Sequence, residues 1–316
     1  MAADLVSAGS DRSDGPESAF GGLIDLTPSG ASTAGPCFVG SPAPERFGRT
    51  YGGQFLAQAL AAAQRTVEPG RRVHSLHAYF LKVGAVDAAT TYEVASIRSG
   101  RSFASCEVSA RQDGGDQSGG SIIAGGDEVF RMLVSFHTPE DGLAYQPEGR
   151  YPMETVPPPQ AATIDYPAFA AQHPDFDLGG WDGANRPMEV RYLDAPAPDD
   201  TDPHTEPQLM WLRVTGGVPD NDAAHAAGLA YLADATLVDN VLLPHGLRWQ
   251  DARLTGASLD HAMWFHQPAR VDEWLLYDQR VETTGGARGL ATGRFYDRRG
   301  VLVATCVQEG LIRWRG

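Results

Sequence analysis

Lysine is almost missing from this 316-residue chain: of 25 basic residues only Lys82 is a lysine, set against 40 acidic ones. The formal net charge of -15 argues against a nucleic-acid partner, because binding to a phosphate backbone depends on a basic surface that releases counterions. Any group that holds an anion must be an arginine, whose planar fork suits phosphate, although a coding bias toward Arg, Ala and Gly explains the imbalance more simply. Cysteine is scarce as well: Cys37, Cys106 and Cys306 form no Cys-x-x-Cys pair and leave an odd number, which speaks against a disulfide framework or a zinc site and fits a reducing cytoplasm. No stretch reads as the roughly 20 apolar residues needed to span a bilayer. Met1 to Pro16 lack the basic start and apolar run of a secretory signal, so residues 1–20 read as a flexible tail. The ending Trp314-Arg315-Gly316 is not a peroxisomal signal.

What is present is a plan that occurs twice. Pro, Gly and polar residues gather between residues 139 and 187, with Pro157-Pro158-Pro159 and Gly179-Gly180, and sustain no periodicity, which marks a linker between residues 21–138 and residues 188–316. In the first half Gly52-Gly53 opens a segment to Arg65 with Phe55, Leu56, Ala59, Leu60 and Ala63 at helical spacing. Alternating runs follow at Val73–Leu81, Thr90–Arg98, Phe103–Arg111 and Val129–His137. The second half predicts strands at Met188–Leu193 and Gln208–Val214, a helical stretch from Ala223 toward Leu243, and strands near Ala262–His266, Trp274–Val281, Leu290–Tyr296 and Val301–Ile312. A slide of 185 positions sets Tyr79-Phe80 on Trp264-Phe265, Tyr92 on Tyr277, Gly100 on Gly285 and Gly115 on Gly300. The pattern predicts an α+β fold in which an antiparallel sheet wraps a central helix apolar on nearly all sides, twice over.

Five stretches carry a more specific likeness: Arg49-Thr50-Tyr51-Gly52-Gly53-Gln54 with Gln58-Ala59-Leu60; Val73-His74-Ser75-Leu76-His77-Ala78-Tyr79-Phe80-Leu81; Leu259-Asp260-His261-Ala262-Met263-Trp264-Phe265-His266; Glu273-Trp274-Leu275-Leu276-Tyr277; and Val307-Gln308-Glu309-Gly310. In this order they resemble the type II acyl-CoA thioesterases, over about Phe38 to Arg313. The resemblance implies a duplicated hotdog fold, a fatty acyl-CoA substrate with CoA as part of it, no separate cofactor or metal, and a homodimer or larger assembly. It also implies catalytic residues in the second half only. The positions matching the family pattern are Asp234 in Tyr231-Leu232-Ala233-Asp234, Ser258 just ahead of Leu259-Asp260-His261, and Gln308. Ser258 departs from the more common threonine but keeps the hydroxyl and loses only the methyl that stiffens the rotamer.

The residue types suit the reaction. A thioester carbonyl yields to water once that water is oriented and a base takes its proton: Asp234 is the candidate base, and Ser258 and Gln308 can hold the same water. The helix start at Gly52-Gly53 offers backbone N–H groups to a developing oxyanion, although close packing of helix on sheet explains these glycines as well. Taken singly, Asp234 would be a cap near a helix start, Ser258 a strand-edge hydroxyl and Gln308 an exposed strand polar group. His74, His77, His261 and His266 have no spacing for a shared metal and read as satisfied structural histidines. A Ser258-His261-Asp260 triad fails because adjacent strand residues point apart and no Gly-x-Ser-x-Gly elbow is present. The rival chemistry is an Asp220/His225 pair with the spacing of hotdog enoyl-CoA hydratases, for which a helix cap at Pro219-Asp220 is the plainer reading. A binding protein for acyl-CoA with decayed chemistry is the reading outside enzymes.

Overall fold

The structure, a computed structural model, describes residues 19–42, 48–113, 126–146, 153–161, 186–193, 196–197, 200–249 and 251–315. The first half begins with a short helix α1 (Ala19–Ile24), strands β1 (Thr27–Ala31) and β2 (Pro36–Gly40), and the central helix α2 (Gly52–Gln64). Four longer strands follow: β3 (Arg72–Phe80), β4 (Thr90–Ser99), β5 (Phe103–Gln112) and β6 (Asp127–His137). The second half repeats the order with β7 (Met188–Tyr192), β8 (Gln208–Val214), the central helix α3 (Asp222–Ala233), a 3-10 segment (Val238–His245), β9 (Leu254–Ser258), β10 (Asp260–Phe265), β11 (Leu275–Gly285), β12 (Arg288–Tyr296) and β13 (Leu302–Trp314).

All pairings are antiparallel, and the strands join in the order β1-β2-β4-β5-β6-β3-β10-β13-β12-β11-β8-β7, with β9 on β13. Read outward from the β3–β10 seam, the two halves have the same strand order, which is the duplicated hotdog. Alternation explains the burial: in β6 Phe130, Met132, Val134 and Phe136 face the core while Arg131 and Leu133 face out. The curl of the sheet leaves the central helix α2 almost no wet face. Every residue of α2 from Gly53 to Ala63 is buried, and Leu56 and Leu60 together contribute several kcal/mol at roughly 1.5–3 kcal/mol each. Tyr92 and Tyr277, matched by the internal repeat, are both fully buried, and each hydroxyl reaches a central helix: Tyr92 donates to Gln58 Oε1 at 2.7 Å and Tyr277 to the Ala233 carbonyl at 2.8 Å.

Several expectations need correction. The stretch from Ala223 toward Leu243 is two elements, since α3 stops at Ala233 and a 3-10 turn resumes at Val238. Asp222–His245 together are long and apolar enough to cross a membrane, contrary to the reading that no stretch is, yet most of that span is buried as core. Most of the tail 1–20 lies outside the described residues, but Phe20 is in the core. The linker lies largely outside them too, as does the Gly115 match. Its described part packs on the second half: Trp211 Nε1 donates to the Pro157 carbonyl at 2.7 Å, and Gln146 bonds Gly300 and Leu302, each at 2.8 Å.

Candidate active site

Asp234 follows the last residue of α3 as its C-cap, at the opposite end from the helix start where an aspartate cap would sit. A carboxylate is disfavoured there by the helix dipole, but the start of α2 lies against it. A Cβ on Gly52 would come within 2.6 Å of Asp234 Oδ2, and one on Gly53 within 2.4 Å of the Tyr231 carbonyl, so only glycine permits this approach. Tyr51 fixes the junction by donating to the Tyr231 carbonyl at 2.7 Å. The site is therefore composite, with the side chains of one half closed by the backbone of the other.

Gln308, fully buried on β13, brings the trio together: its Nε2 donates to Asp234 Oδ1 at 2.6 Å and to Ser258 Oγ at 2.9 Å. Asp234 and Ser258 remain partly exposed, so the pair can be reached while the amide behind them is not. Burial pushes the Asp234 carboxyl up to about 6; the Gln308 amide, Arg186, the Gly53 N–H and Arg49 pull the other way without overcoming it. Asp239, which sequence reasoning passed over, is a second carboxyl in this neighbourhood. It accepts from Trp249 Nε1 at 2.5 Å, and burial with the nearby Asp234 charge raises it to about 7.

Ser258 owes its direction to a bulge. Ser258 lies opposite Gly310 on β13, and Ala262 lies opposite Val307, so four steps along one strand match three along the other. The extra residue falls at Leu259-Asp260: the Leu259 N–H donates to the Glu309 carbonyl at 2.9 Å, and Asp260 Oδ1 accepts from the Glu309 N–H at 2.8 Å. On a regular strand Ser258 and His261 would face opposite ways; here both face inward beside Gln308. Asp260 thus holds backbone and makes no triad with Ser258.

The histidines divide. His74 bonds Ser135 Oγ at 2.8 Å and His266 bonds Thr305 Oγ1 at 2.9 Å, as structural residues, while the exposed His77 meets the Trp264 ring edge-on. His261 does not fit the expectation of a satisfied histidine, because it is 1% exposed and neither ring nitrogen has a hydrogen-bond partner among the described residues. The rival pair, Asp220 and His225, lines one pocket, but each member is engaged elsewhere. Asn221, not Asp220, caps α3 by accepting from the Ala224 N–H at 2.8 Å; Asp220 pairs with Arg270, and His225 Nδ1 accepts from the Val271 N–H at 3.3 Å. At 1.5 Å per residue, His225 stands roughly 14 Å along α3 from Asp234, too far to share its water.

Known proteins match this chain in sequence and fold. Family models described as the acyl-CoA thioesterase N-terminal and C-terminal domains match residues 42–137 and 159–312. Acyl-coenzyme A thioesterase 8 of Mus musculus is 34% identical over 276 residues, covering 84% of this chain and 80% of that protein. The chain belongs to the acyl-CoA thioesterase family. A bacterial relative, acyl-CoA thioesterase 2 of Haemophilus influenzae, is 32% identical and covers 85% of this chain and 89% of its own. Among solved structures, acyl-CoA thioesterase II TesB2 of Mycobacterium marinum superimposes with a TM-score of 0.70 at 32% identity, over 94% of this thioesterase-family chain and 99% of that one. The dehydratase domain of the curacin polyketide synthase CurJ module, at a TM-score of 0.52 and 16% identity, shares the fold alone.

Proposed function

We propose that this chain hydrolyses fatty acyl-CoA to the free fatty acid and CoA, with a water held among Asp234, Ser258 and Gln308. The observation that carries this reading is the Gln308 amide reaching both Asp234 Oδ1 and Ser258 Oγ from a buried position. Asp234 takes a proton from the water as the oxygen attacks the thioester carbonyl carbon; collapse of the tetrahedral adduct breaks the C–S bond, and the proton leaves with the CoA thiolate. A carboxyl raised to about 6 is a stronger base than an ordinary aspartate and is still ionised at pH 7. The start of α2, with room left by Gly52, favours the negative charge that develops on the carbonyl oxygen.

Release of thiol from octanoyl-CoA and palmitoyl-CoA, followed with a colorimetric thiol reagent, tests this. Hydration of crotonyl-CoA without thiol release would favour the hydratase chemistry, and binding without turnover a sensor. The mechanism calls on no metal, so prolonged EDTA treatment is expected to leave turnover intact; loss restored by zinc or magnesium would count against it. Three free cysteines support a reducing cytoplasm as the setting. A homodimer or larger assembly is proposed from the family resemblance, to be read by light scattering on the eluting protein.

A further inference from the structure

Gln308 uses its amide nitrogen twice, on Asp234 and on Ser258, yet its Oε1 is buried with no hydrogen-bond partner among the described residues. One step beyond the Ala262–Val307 pair, His261 lies opposite Gln308 on the neighbouring strand, also facing inward, with both ring nitrogens unpartnered. Directly opposed residues of an antiparallel pair bring their Cβ atoms to about 4.5–5.5 Å. A buried acceptor and a buried donor, each costly when left alone, therefore stand within reach of one another. We propose that His261 is a positioning residue: its ring N–H donates to Gln308 Oε1 and keeps the nitrogen end of the amide turned toward Asp234 and Ser258.

Three observations support this. The first is internal to the chain. The internal repeat sets His261 on Leu76, and Leu76 pairs with Val134, which occupies the place of Gln308 in the first half. Where the glutamine is replaced by an apolar side chain, so is the histidine. The second is the bulge at Leu259-Asp260, which turns His261 to the same face as Ser258. The third is protonation: burial pushes the imidazole down to about 4 while the Gln308 amide draws it up, so near neutral pH it is an uncharged ring with one donor. That donor matters most during turnover. An ionised Asp234 selects the nitrogen end of the amide by itself, but an Asp234 that has just taken a proton can be served by either end. A donor fixed on Oε1 removes that freedom. The charged and titratable groups acting on this centre are Asp239 from the 3-10 segment, Cys306 beside Gln308 on β13, Tyr277 on β11, and Arg49 and Arg186.

The inference rests on the trio reading above, and the experiment separates the two. Octanoyl-CoA hydrolysis is measured from pH 5 to 9 for His261→Leu, His261→Asn, Gln308→Ala and the double variant His261→Leu/Gln308→Ala, with Asp234→Asn as reference. His261→Leu copies the first half and is expected to lower kcat about 10- to 100-fold with KM nearly unchanged, as for a reacting group held slightly out of place. Its acid limb should move to higher pH, because a loosened amide no longer steadies the Asp234 carboxylate. His261→Asn, which keeps a donor, should recover most of the rate. In the Gln308→Ala background His261→Leu should add less than about two-fold, since its effect passes through that amide. If His261→Leu does not fold, His261→Ala against His261→Asn gives the same contrast. Wild-type kcat in the Leu or Ala variant with a silent Asp234→Asn would overturn the positioning role and leave the trio standing. An undiminished effect in the Gln308→Ala background would also overturn it. Wild-type turnover in Asp234→Asn would instead remove the trio itself.

Discussion

The two halves of this thioesterase-family chain share strand order and even a bulge, and they differ in what the inner face carries. In the first half Val73 pairs with Phe136 and Ser75 with Ser135, so β3 also has an extra residue, at the place where the second half has Leu259-Asp260. Val73 thus stands where Ser258 does, Leu76 where His261 does and Val134 where Gln308 does, while Arg65 caps α2 as Asp234 caps α3. Ser258's counterpart is therefore Val73, and Asp234's is Arg65. The same backbone device can aim polar groups at a water or apolar groups into a core, depending on the residues it carries. The first half still contributes to the centre, through the backbone at Gly52-Gly53, the Tyr51 hydroxyl and the Arg49 charge, but it carries no counterpart of the trio.

The sharpest break in that symmetry is at Asp234. Asp234→Asn keeps the size of the side chain and removes the base, and should lower kcat roughly 100- to 10,000-fold in a folded protein. The double variant with Gln308→Ala should lose much less than the product of the single losses, because both residues act on one water. Near-wild-type turnover in folded Asp234→Asn would end the assignment. The next effect tests the reach of the first half into the second: Gly52→Ala sets a methyl 2.6 Å from Asp234 Oδ2 and against the Phe80 ring. The carboxylate must shift, and a displacement of that size should cost about 10- to 100-fold in kcat. If octanoyl-CoA turnover were indifferent to Gly52→Ala, the site would belong to one half alone.

A smaller effect is expected along the pH axis. Burial raises Asp234 to about 6, so kcat/KM should rise with an apparent pKa near 6 and fall about ten-fold per pH unit below it, as the base becomes protonated. The linkage has the opposite sign for stability. A carboxyl whose folded pKa exceeds its unfolded value costs stability as pH rises from about 4 through 6, and the cost is complete above that. Asp234→Asn should therefore raise Tm relative to wild type at pH 8 but not at pH 4, which differential scanning calorimetry can read. A rise in Tm of equal size at both pH values would mean that the carboxylate is not held at an energetic cost.

Much of this contrast was legible from the sequence, but unevenly. The long strands were, because Phe130, Met132, Val134 and Phe136 alternate without interruption and the Tyr92/Tyr277 match fixed the repeat. The strands β1 and β9 were not: Thr27-Pro28-Ser29-Gly30-Ala31 and Leu254-Thr255-Gly256-Ala257-Ser258 have too few apolar residues to show a period of two. The end of α3 was hidden because no Gly or Pro stands between Ala233 and Val238 to stop a helix. Asp234, Ser258 and Gln308 were found through family likeness, since Gln308 is 74 residues from Asp234 and no local spacing joins them. The inward direction of His261 beside Ser258 was hidden for a physical reason. Strand alternation places it away from Ser258, and the extra residue that turns it back is a matter of pairing with β13, which a single strand's sequence does not state.

The smallest effect on turnover is expected from emptying the first half's counterpart of Gln308. Val134 is 2% exposed and packed in the core, so Val134→Ala removes buried methyl groups and leaves part of their space open, at a cost of about 2 kcal/mol in stability. If the first half is chemically silent, that loss appears in the denaturation midpoint while kcat and KM for octanoyl-CoA stay within about two-fold of wild type, because no interaction made only in the transition state has been removed. Gln308→Ala should show the reverse, a large fall in kcat with a modest change in midpoint, since it deletes the amide that holds Asp234 and Ser258 rather than packed methyl groups. The two variants together separate packing from chemistry at matched positions of one fold. A fall in kcat for Val134→Ala comparable to that of Gln308→Ala, measured on protein shown to be folded, would mean that the apolar half shapes the hydrolytic centre as directly as the polar one.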